Sequence, residues 1–331
     1  MNKQIPSVAM VAIGAYAPPA LLTNFDLEKI VDTSDEWIRT RSGISTRHIA
    51  DPNTCTSDIA VEAAKVALER AQLSATELDL IVLASVTGDQ VIPSTACFIQ
   101  QKLGAPQAVA FDVNAACTGF VYACSVAHAM LGVGPYRNAL VIGADTLTKV
   151  TDYTDRSICV LLGDGAGAVV LKTVDEEERG FRSFYLRADG TGADLLYITA
   201  GGSRRPASVE TLAAREHFIR MNGNEIYRFA MRAIEEAILG ALERAGLTID
   251  DIALIVPHQA NIRIIDAAAK RLEIPREKWV TNIHAYGNTS AASIPMALNE
   301  AVETGRVQRG DNIVLVGFGA GLTWGATVVK W

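Results

Sequence analysis

Apolar and polar positions along this chain follow two periods. Val8 to Ala15 and Leu80-Ile81-Val82-Leu83-Ala84-Ser85 are short, nearly continuous apolar runs that predict buried strands. From Asp58 to about Ala71, Ile59, Ala63, Ala67 and Ala71 recur at helical spacing behind Ser57, which predicts a capped helix. Asn24 to Ile30 reads as a short helix leading into Thr33–Gly43. Ile313 to Val329 carries no charge and is the one stretch that imitates a membrane span, yet glycines at 317, 319, 321 and 325 divide it. Two strands and a glycine-rich turn are expected there. Strands alternating with helices predict an α/β fold whose largely parallel sheets are covered on both faces.

The pattern returns. Ala241-Leu242-Glu243-Arg244-Ala245-Gly246-Leu247 repeats Ala67-Leu68-Glu69-Arg70-Ala71-Gln72-Leu73 almost letter for letter, and Leu254-Ile255-Val256 takes the place of Leu80-Ile81-Val82 at the same offset. A helix and strand recurring in unchanged register predict a duplicated unit. Gly163-Asp164-Gly165-Ala166-Gly167-Ala168-Val169-Val170 closes the first half; Gly317–Gly321 with Gly325–Val329 closes the second. The boundary falls near residue 175, in Asp175–Gly180, giving halves 1–175 and 176–331. The glycine run at 163–167 lacks the GxxxxGK[ST] pattern and precedes β-type residues, so it predicts close backbone packing rather than a phosphate loop.

Composition narrows the class. The 331 residues are 49% hydrophobic and 20% charged, which predicts a folded chain with a large core and excludes general disorder. A net charge of −7 argues against a general nucleic-acid binder. Cysteines at 55, 97, 117, 124 and 159 form no metal-like CxxC pair, and the odd count with no apolar signal core in Met1–Pro6 predicts reduced thiols in the cytoplasm.

One thiol stands where a strand gives way to a helix, in Phe111-Asp112-Val113-Asn114-Ala115-Ala116-Cys117-Thr118-Gly119-Phe120. Cys117 is expected in the first helical turn, where unpaired N–H groups and the helix dipole favour a thiolate below the usual value of about 8.5. The competing reading is a small buried packing residue. Superposing the halves maps His258, after the predicted strand Ile252–Val256, onto Ala84, and brings Asn288 near the counterpart of the Cys117 turn. Ligands collect beyond the carboxyl ends of strands in open α/β sheets, so Cys117, His258 and Asn288 are expected in one place. Thiol, imidazole and carboxamide suit acyl transfer, with backbone N–H groups of Cys117 and the Gly319–Ala320 turn as oxyanion donors. Trp37 with Arg39 and Arg41 reads either as a stacking platform for a nucleotide or as an exposed surface helix.

Asn114–Phe120, Pro257-His258-Gln259-Ala260-Asn261 and Gly287-Asn288-Thr289-Ser290-Ala291-Ala292-Ser293 resemble the Cys-His-Asn motifs of the β-ketoacyl-acyl-carrier-protein synthase III family. Thr33–Ile38, Thr154-Asp155-Arg156 and Gly163–Ala168 extend the likeness over essentially the whole chain. The resemblance implies a thiolase-like α/β fold of two βαβαβαββ halves in five layers, working as a homodimer. It implies that Cys117 takes an acyl group from acyl-CoA and that malonyl-acyl-carrier protein then loses carbon dioxide. The resulting carbanion attacks the acyl-cysteine, with His258 and Asn288 stabilising the enolate and Phe318 lining the site. Asn in the third position separates this family from elongating synthases with Cys-His-His.

By the same resemblance Trp37 stacks on the CoA adenine with Arg41 and Arg156 near its phosphates, and Arg263 and Arg228 receive the acidic carrier protein. Ile92 stands where acetyl-preferring relatives commonly have Phe, in a loop lining the partner subunit's acyl pocket, which implies room for longer or branched primers. Gly201 to Arg220 is charged and loop-like and is expected over the pantetheine tunnel. No cofactor, metal, nucleic acid or membrane is implied; acyl-CoA is a substrate. Starter-loading or condensing enzymes of polyketide, quinolone or long-chain hydrocarbon biosynthesis share the motifs. A thiol redox sensor or an inactive partner subunit is the reading without catalysis.

Overall fold

The computed structural model describes residues 7–175 and 179–331, so the readings on Met1–Pro6 and on Glu176–Glu178 lie outside the described residues. Two sheets organise the chain. In the first the order is Ser7–Tyr16, Asp164–Val174, Asn138–Thr146, Leu80–Ala84, Val109–Val113; in the second it is Gly180–Ala188, Thr323–Lys330, Asn312–Gly319, Leu254–Pro257. The two orders match over four strands. The counterpart of Val109–Val113 is reduced in the second sheet to a single bridge between Ile255 and Trp279. A 3-10 turn at Arg276–Lys278 leaves too little extended chain there for a longer strand.

Both sheets are mixed, which corrects the expectation of largely parallel pairing. Leu80–Ala84 runs parallel to both neighbours, whereas Asp164–Val174 is antiparallel to both of its own. In the second sheet only Leu254–Pro257 and Asn312–Gly319 are parallel. The cause is local for the last pair. Residues 320–322 join Asn312–Gly319 to Thr323–Lys330, and a link that short permits only a hairpin.

Side chains alternate across each strand, and both faces are covered. Leu80, Val82 and Ala84 point to the middle of the molecule, Ile81 and Leu83 to the outside. Helices Thr56–Ala71 and Thr95–Leu103 cover the outer face of the first sheet; Gly223–Ala245 and Ile262–Arg271 cover that of the second. Gly119–Val133 and Ser293–Glu303 lie between the sheets, completing five layers. Ala116–Val133 is apolar and long enough by composition to cross a membrane, a stretch the hydrophobic pattern had not singled out. It is the middle layer, with Phe120, Val121, Ala123, Cys124, Ala127 and Leu131 buried between the sheets.

Two local readings change. The first long helix begins at Thr56 with Cys55 in the cap position, so Ser57 does not cap it; its hydroxyl instead donates to Asp89 at 2.5 Å and accepts from Lys102 at 2.6 Å. The short helix after a strand at Ala20–Thr23 spans Asn24–Leu27 and stops short of Ile30, and a second helix, Asp35–Ser42, carries Trp37. All of the run Gly163–Gly167 but its first residue lies inside the strand Asp164–Val174, with Gly165 and Gly167 against Met296 and Pro295 of the middle-layer helix, as close packing requires.

Candidate active site

Cys117 follows the carboxyl end of Val109–Val113 in a 3-10 turn, Ala116–Thr118, one turn ahead of helix Gly119–Val133. The preceding Ala116 has a left-handed backbone, φ 47°. Its counterpart under the repeat is Ser290, φ 50°, which opens the turn Ser290–Ala292 before helix Ser293–Glu303. Gly319 presses its backbone on the thiol's residue, since a Cβ there would stand 2.8 Å from the Cys117 nitrogen. The sulfur is therefore enclosed; Cys117 is 9% exposed.

Burial pushes the Cys117 thiol up to about 12, and the Asp145 carboxylate adds to the rise. The Ser290 hydroxyl opposes burial, more strongly than Asp145 reinforces it, and the residue's own N–H opposes it least. The expectation of a readily formed resting thiolate is overturned: the partial charge at a helix end is smaller than the effect of removing sulfur from water beside an acid.

His258 directly follows the strand Leu254–Pro257, anchored by its N–H to the Val316 carbonyl at 2.8 Å. Its Nδ1 lies 2.7 Å from Ser293 Oγ, which already accepts the Gln259 N–H at 3.3 Å. Ser293 Oγ retains its proton for Nδ1, and with that assignment the ring hydrogen sits on Nε2. Burial pushes the imidazole down to about 3, so it is neutral, and the Phe318 ring packs edge-on at 5.2 Å.

Asn288 is held by three bonds: its N–H to Leu161 at 2.8 Å, its carbonyl from Gly163 at 3.0 Å, and Oδ1 from the Ser290 N–H at 2.9 Å. That leaves its NH2 as the donor for the cavities it lines. The site offers two neutral donors, suited to a developing oxyanion in a water-poor cavity.

Two cavities meet at the sulfur. One of about 380 Å³ reaches from Cys117 past His258, Phe318 and Gly319 to Trp37, Arg41 and Arg263. The other, about 270 Å³, is walled by Val86, Leu147, Ile158, Leu162, Ser290 and Ala320. Cys117, Leu161, Leu196, Met221 and Asn288 line both. Leu196–Ile198 pairs with Ile219–Met221 to make much of the shared wall, and the segment between them contains a helix, Val209–Ala213, rather than loop alone. Arg215 and Arg220 fasten this segment to Asp152, 3% exposed, whose carboxyl is held well below the usual range by Arg215 first and by Thr154.

The peripheral residues divide. Arg156 and Arg41 stand over the Trp37 ring at 5.0 and 5.8 Å, with Arg156 also donating to the Asp32 carbonyl at 2.6 Å. Arg263 lines the larger cavity above Tyr227. Arg228 lines neither cavity and pairs with Glu225 at 2.6 Å. Ile92, 81% exposed, lines neither cavity of its own chain. Ser293 and the Leu196 and Met221 wall were not foreseen as site residues; Ser293 closes the Gly287–Ser293 run but has no signature of its own. Among the described residues no group of three or more His, Cys, Asp or Glu is placed to hold a metal ion.

Residues 111–190 match the family model for 3-oxoacyl-[acyl-carrier-protein] synthase III, and residues 242–331 match the model for its C-terminal part. The β-ketoacyl-[acyl-carrier-protein] synthase III of Desulfitobacterium hafniense (strain Y51) is 53% identical over 325 residues, 98% of either chain. The 3-oxoacyl-[acyl-carrier-protein] synthase III structure from Aquifex aeolicus VF5 is 47% identical with a TM-score of 0.90, covering 98% of this chain and 100% of that one. The priming β-ketosynthase of the R1128 polyketide pathway is 34% identical with the same TM-score, covering 100% and 99%. With its five layers, its enclosed thiol and these likenesses, the chain belongs to the β-ketoacyl-acyl-carrier-protein synthase III family of thiolase-like fold.

Proposed function

We propose that this chain is an acyltransferase that condenses an acyl-CoA primer with malonyl-acyl-carrier protein, releasing carbon dioxide and initiating fatty-acid synthesis. The observation that carries the reading is the position of Cys117 where two cavities join, with His258 and Asn288 beside it. In the first half-reaction Cys117 attacks the thioester and coenzyme A leaves. In the second, loss of carbon dioxide from the malonyl group leaves an enolate whose oxygen faces Nε2–H of His258 and the Asn288 amide. The carbanion attacks the acyl-cysteine, while N–H groups of Cys117 and the Gly319–Ala320 turn receive the tetrahedral oxyanion. Neutral donors suit this step, because an imidazolium would carry a net charge into a buried site.

Trp37 stacks on the adenine, with Arg41 and Arg156 toward the phosphates; Phe318 lines the passage. Arg263, at the cavity wall, and Arg228, on the outer surface, meet the acidic carrier protein. The enzyme needs no cofactor and acts as a cytoplasmic homodimer away from membranes and nucleic acid, its halves 1–175 and 176–331 each contributing one sheet. Ile92, exposed on its own chain, reaches the acyl pocket of the second subunit, which then admits primers longer or more branched than acetyl.

Intact-mass measurement after exposure to a panel of acyl-CoAs tests the reading: one acyl adduct is expected in the native protein and none in Cys117→Ser. Absence of any adduct would overturn it. The likeness to a priming β-ketosynthase supports a second reading, starter loading for polyketide synthesis. Product analysis with malonyl-acyl-carrier protein from fatty-acid and polyketide systems separates the two. A redox-sensor role fits poorly, since such thiols are exposed and readily ionised whereas this one is neither.

A further inference from the structure

Asp145 is fully buried at the carboxyl end of Asn138–Thr146, and nothing in the condensation chemistry uses it. Its two oxygens are unequally served. Oδ1 accepts from Ser85 Oγ at 3.0 Å, the Val86 N–H at 2.8 Å, the Thr87 N–H at 3.2 Å and Thr87 Oγ1 at 2.9 Å. Oδ2 has one long bond, 3.3 Å from the Ala291 N–H. That bond places Oδ2 beside the turn Ser290–Ala292.

Ser290 is 2% exposed and lines the smaller cavity with Cys117; its hydroxyl makes no hydrogen bond of ordinary geometry, yet it lies close enough to act on both the Cys117 thiol and the Asp145 carboxyl. Buried hydroxyls are nearly always firmly paired, so one held loosely between a thiol and a carboxyl calls for an explanation. Its position is fixed by the left-handed backbone and by the Ser290 N–H bond to Asn288 Oδ1. Gly143, which has no Cβ to collide with the Ala291 carbonyl, lets the turn lie directly on the strand that carries Asp145.

His258 is a poor acceptor for the thiol proton, because its Nδ1 is engaged by Ser293 and burial holds the imidazole near 3. We propose that Ser290 and Asp145 form a relay that removes the Cys117 proton at the moment of attack. The S–H proton passes to Ser290 Oγ as the Ser290 proton passes to Asp145 Oδ2. Net charge inside the site is unchanged, so no second anion has to be created away from water. Sulfur then bonds to the thioester carbonyl carbon, the bond from that carbon to the CoA sulfur breaks, and the departing thiolate recovers the proton through the same pair. In the second half-reaction the malonyl carboxylate leaves as carbon dioxide and its charge ends on Cys117, which is reprotonated by one proton from solvent. The titratable groups facing the thiol are Asp145 across the turn and His258 across the cavity. Behind Asp145 stands Asp164, bonded to the Ala50 N–H at 2.7 Å and to Thr148 Oγ1 at 2.6 Å.

The relay rests on Cys117 being the acylated nucleophile, so its test avoids the natural substrates. Iodoacetamide alkylation of Cys117, followed by peptide mass mapping across pH, reads thiolate formation alone. Ser290→Ala removes the hydroxyl; Ser290→Gly removes it and also relieves the left-handed backbone. Both are expected to slow alkylation at neutral pH by at least about tenfold, with the pH midpoint displaced upward equally in the two. Adding Asp145→Asn to Ser290→Ala slows it no further. Wild-type alkylation in Ser290→Ala, or recovery in Ser290→Gly alone, would overturn the relay. Where Asp145→Asn does not fold, the two Ser290 variants decide the matter. A native protein that alkylates as expected but takes no acyl group from acyl-CoA would instead refute the condensing reading.

Discussion

Ala116 and Ser290 share one left-handed backbone conformation, φ 47° and 50°, at positions related by the offset that carries Ala67 onto Ala241. Each opens a 3-10 turn that feeds a middle-layer helix, one presenting the thiol and the other the Ser290 hydroxyl. Duplication has therefore placed the same strained turn on both sides of the sulfur. Ala116→Gly accepts this φ freely and should change unfolding free energy by less than about 1 kcal/mol, whereas Ala116→Val should lose about 1–3 kcal/mol. Denaturant unfolding checks both, and equal stabilities would remove the strain argument.

Ser293 holds His258 through Nδ1, so its hydroxyl governs which ring nitrogen donates. Ser293→Ala frees the ring to adopt the other tautomer and should lower the condensation kcat roughly 10- to 100-fold, less than the roughly 100- to 1000-fold cost of losing a positioned donor outright. The acyl-CoA KM should stay close to wild type. A variant with altered KM and normal kcat would assign Ser293 to packing alone.

Trp37 stands under two guanidinium groups at the far end of the larger cavity. Stacking on a base contributes about 1–3 kcal/mol, so Trp37→Ala should raise the acyl-CoA KM at least roughly fivefold. Acylation by a short thioester that lacks the nucleotide should be unaffected. Equal losses with both donors would show that Trp37 serves the fold, through its packing beside Ile38 and Val160, rather than the nucleotide.

The His258 imidazole falls from an ordinary 6.5 to about 3 on burial. Between these values the unfolded chain carries a proton that the folded chain does not, so this group's contribution raises stability as pH rises and is lost as pH falls below the unfolded value. His258→Asn should flatten the pH dependence of unfolding free energy between roughly pH 4 and 6.5, by at most about 1.4 kcal/mol per pH unit. Denaturant midpoints at several pH values measure the slope. An unchanged slope would mean that the ring is hydrated in the folded protein.

Much of this site could be read from the chain because its polar residues sit at the ends of repeated elements. The offset between Leu80–Val82 and Leu254–Val256 was sufficient to carry His258 and Asn288 toward Cys117, and the structure puts all three on one cavity. What escaped reading depends on contacts between distant segments. The rise in the Cys117 pKa comes from enclosure by Gly319 and from Asp145, neither close to it in sequence. Ser293 becomes informative only once His258 lies against it. Strand direction was misjudged because continuous apolar runs report burial on both faces and say nothing of a neighbour's sense. The shared wall at Leu196 and Met221 has ordinary strand composition, and only its pairing with Asp152-anchored chain brings it to the thiol.

The two voids share only the surroundings of the sulfur. A primer that has crossed the junction into the smaller chamber vacates the passage by which it arrived. The second thioester then uses the same doorway, and the order of events follows from architecture rather than from any difference in affinity. Initial-rate plots with both donors varied should accordingly be parallel lines, the ping-pong signature of a covalent intermediate.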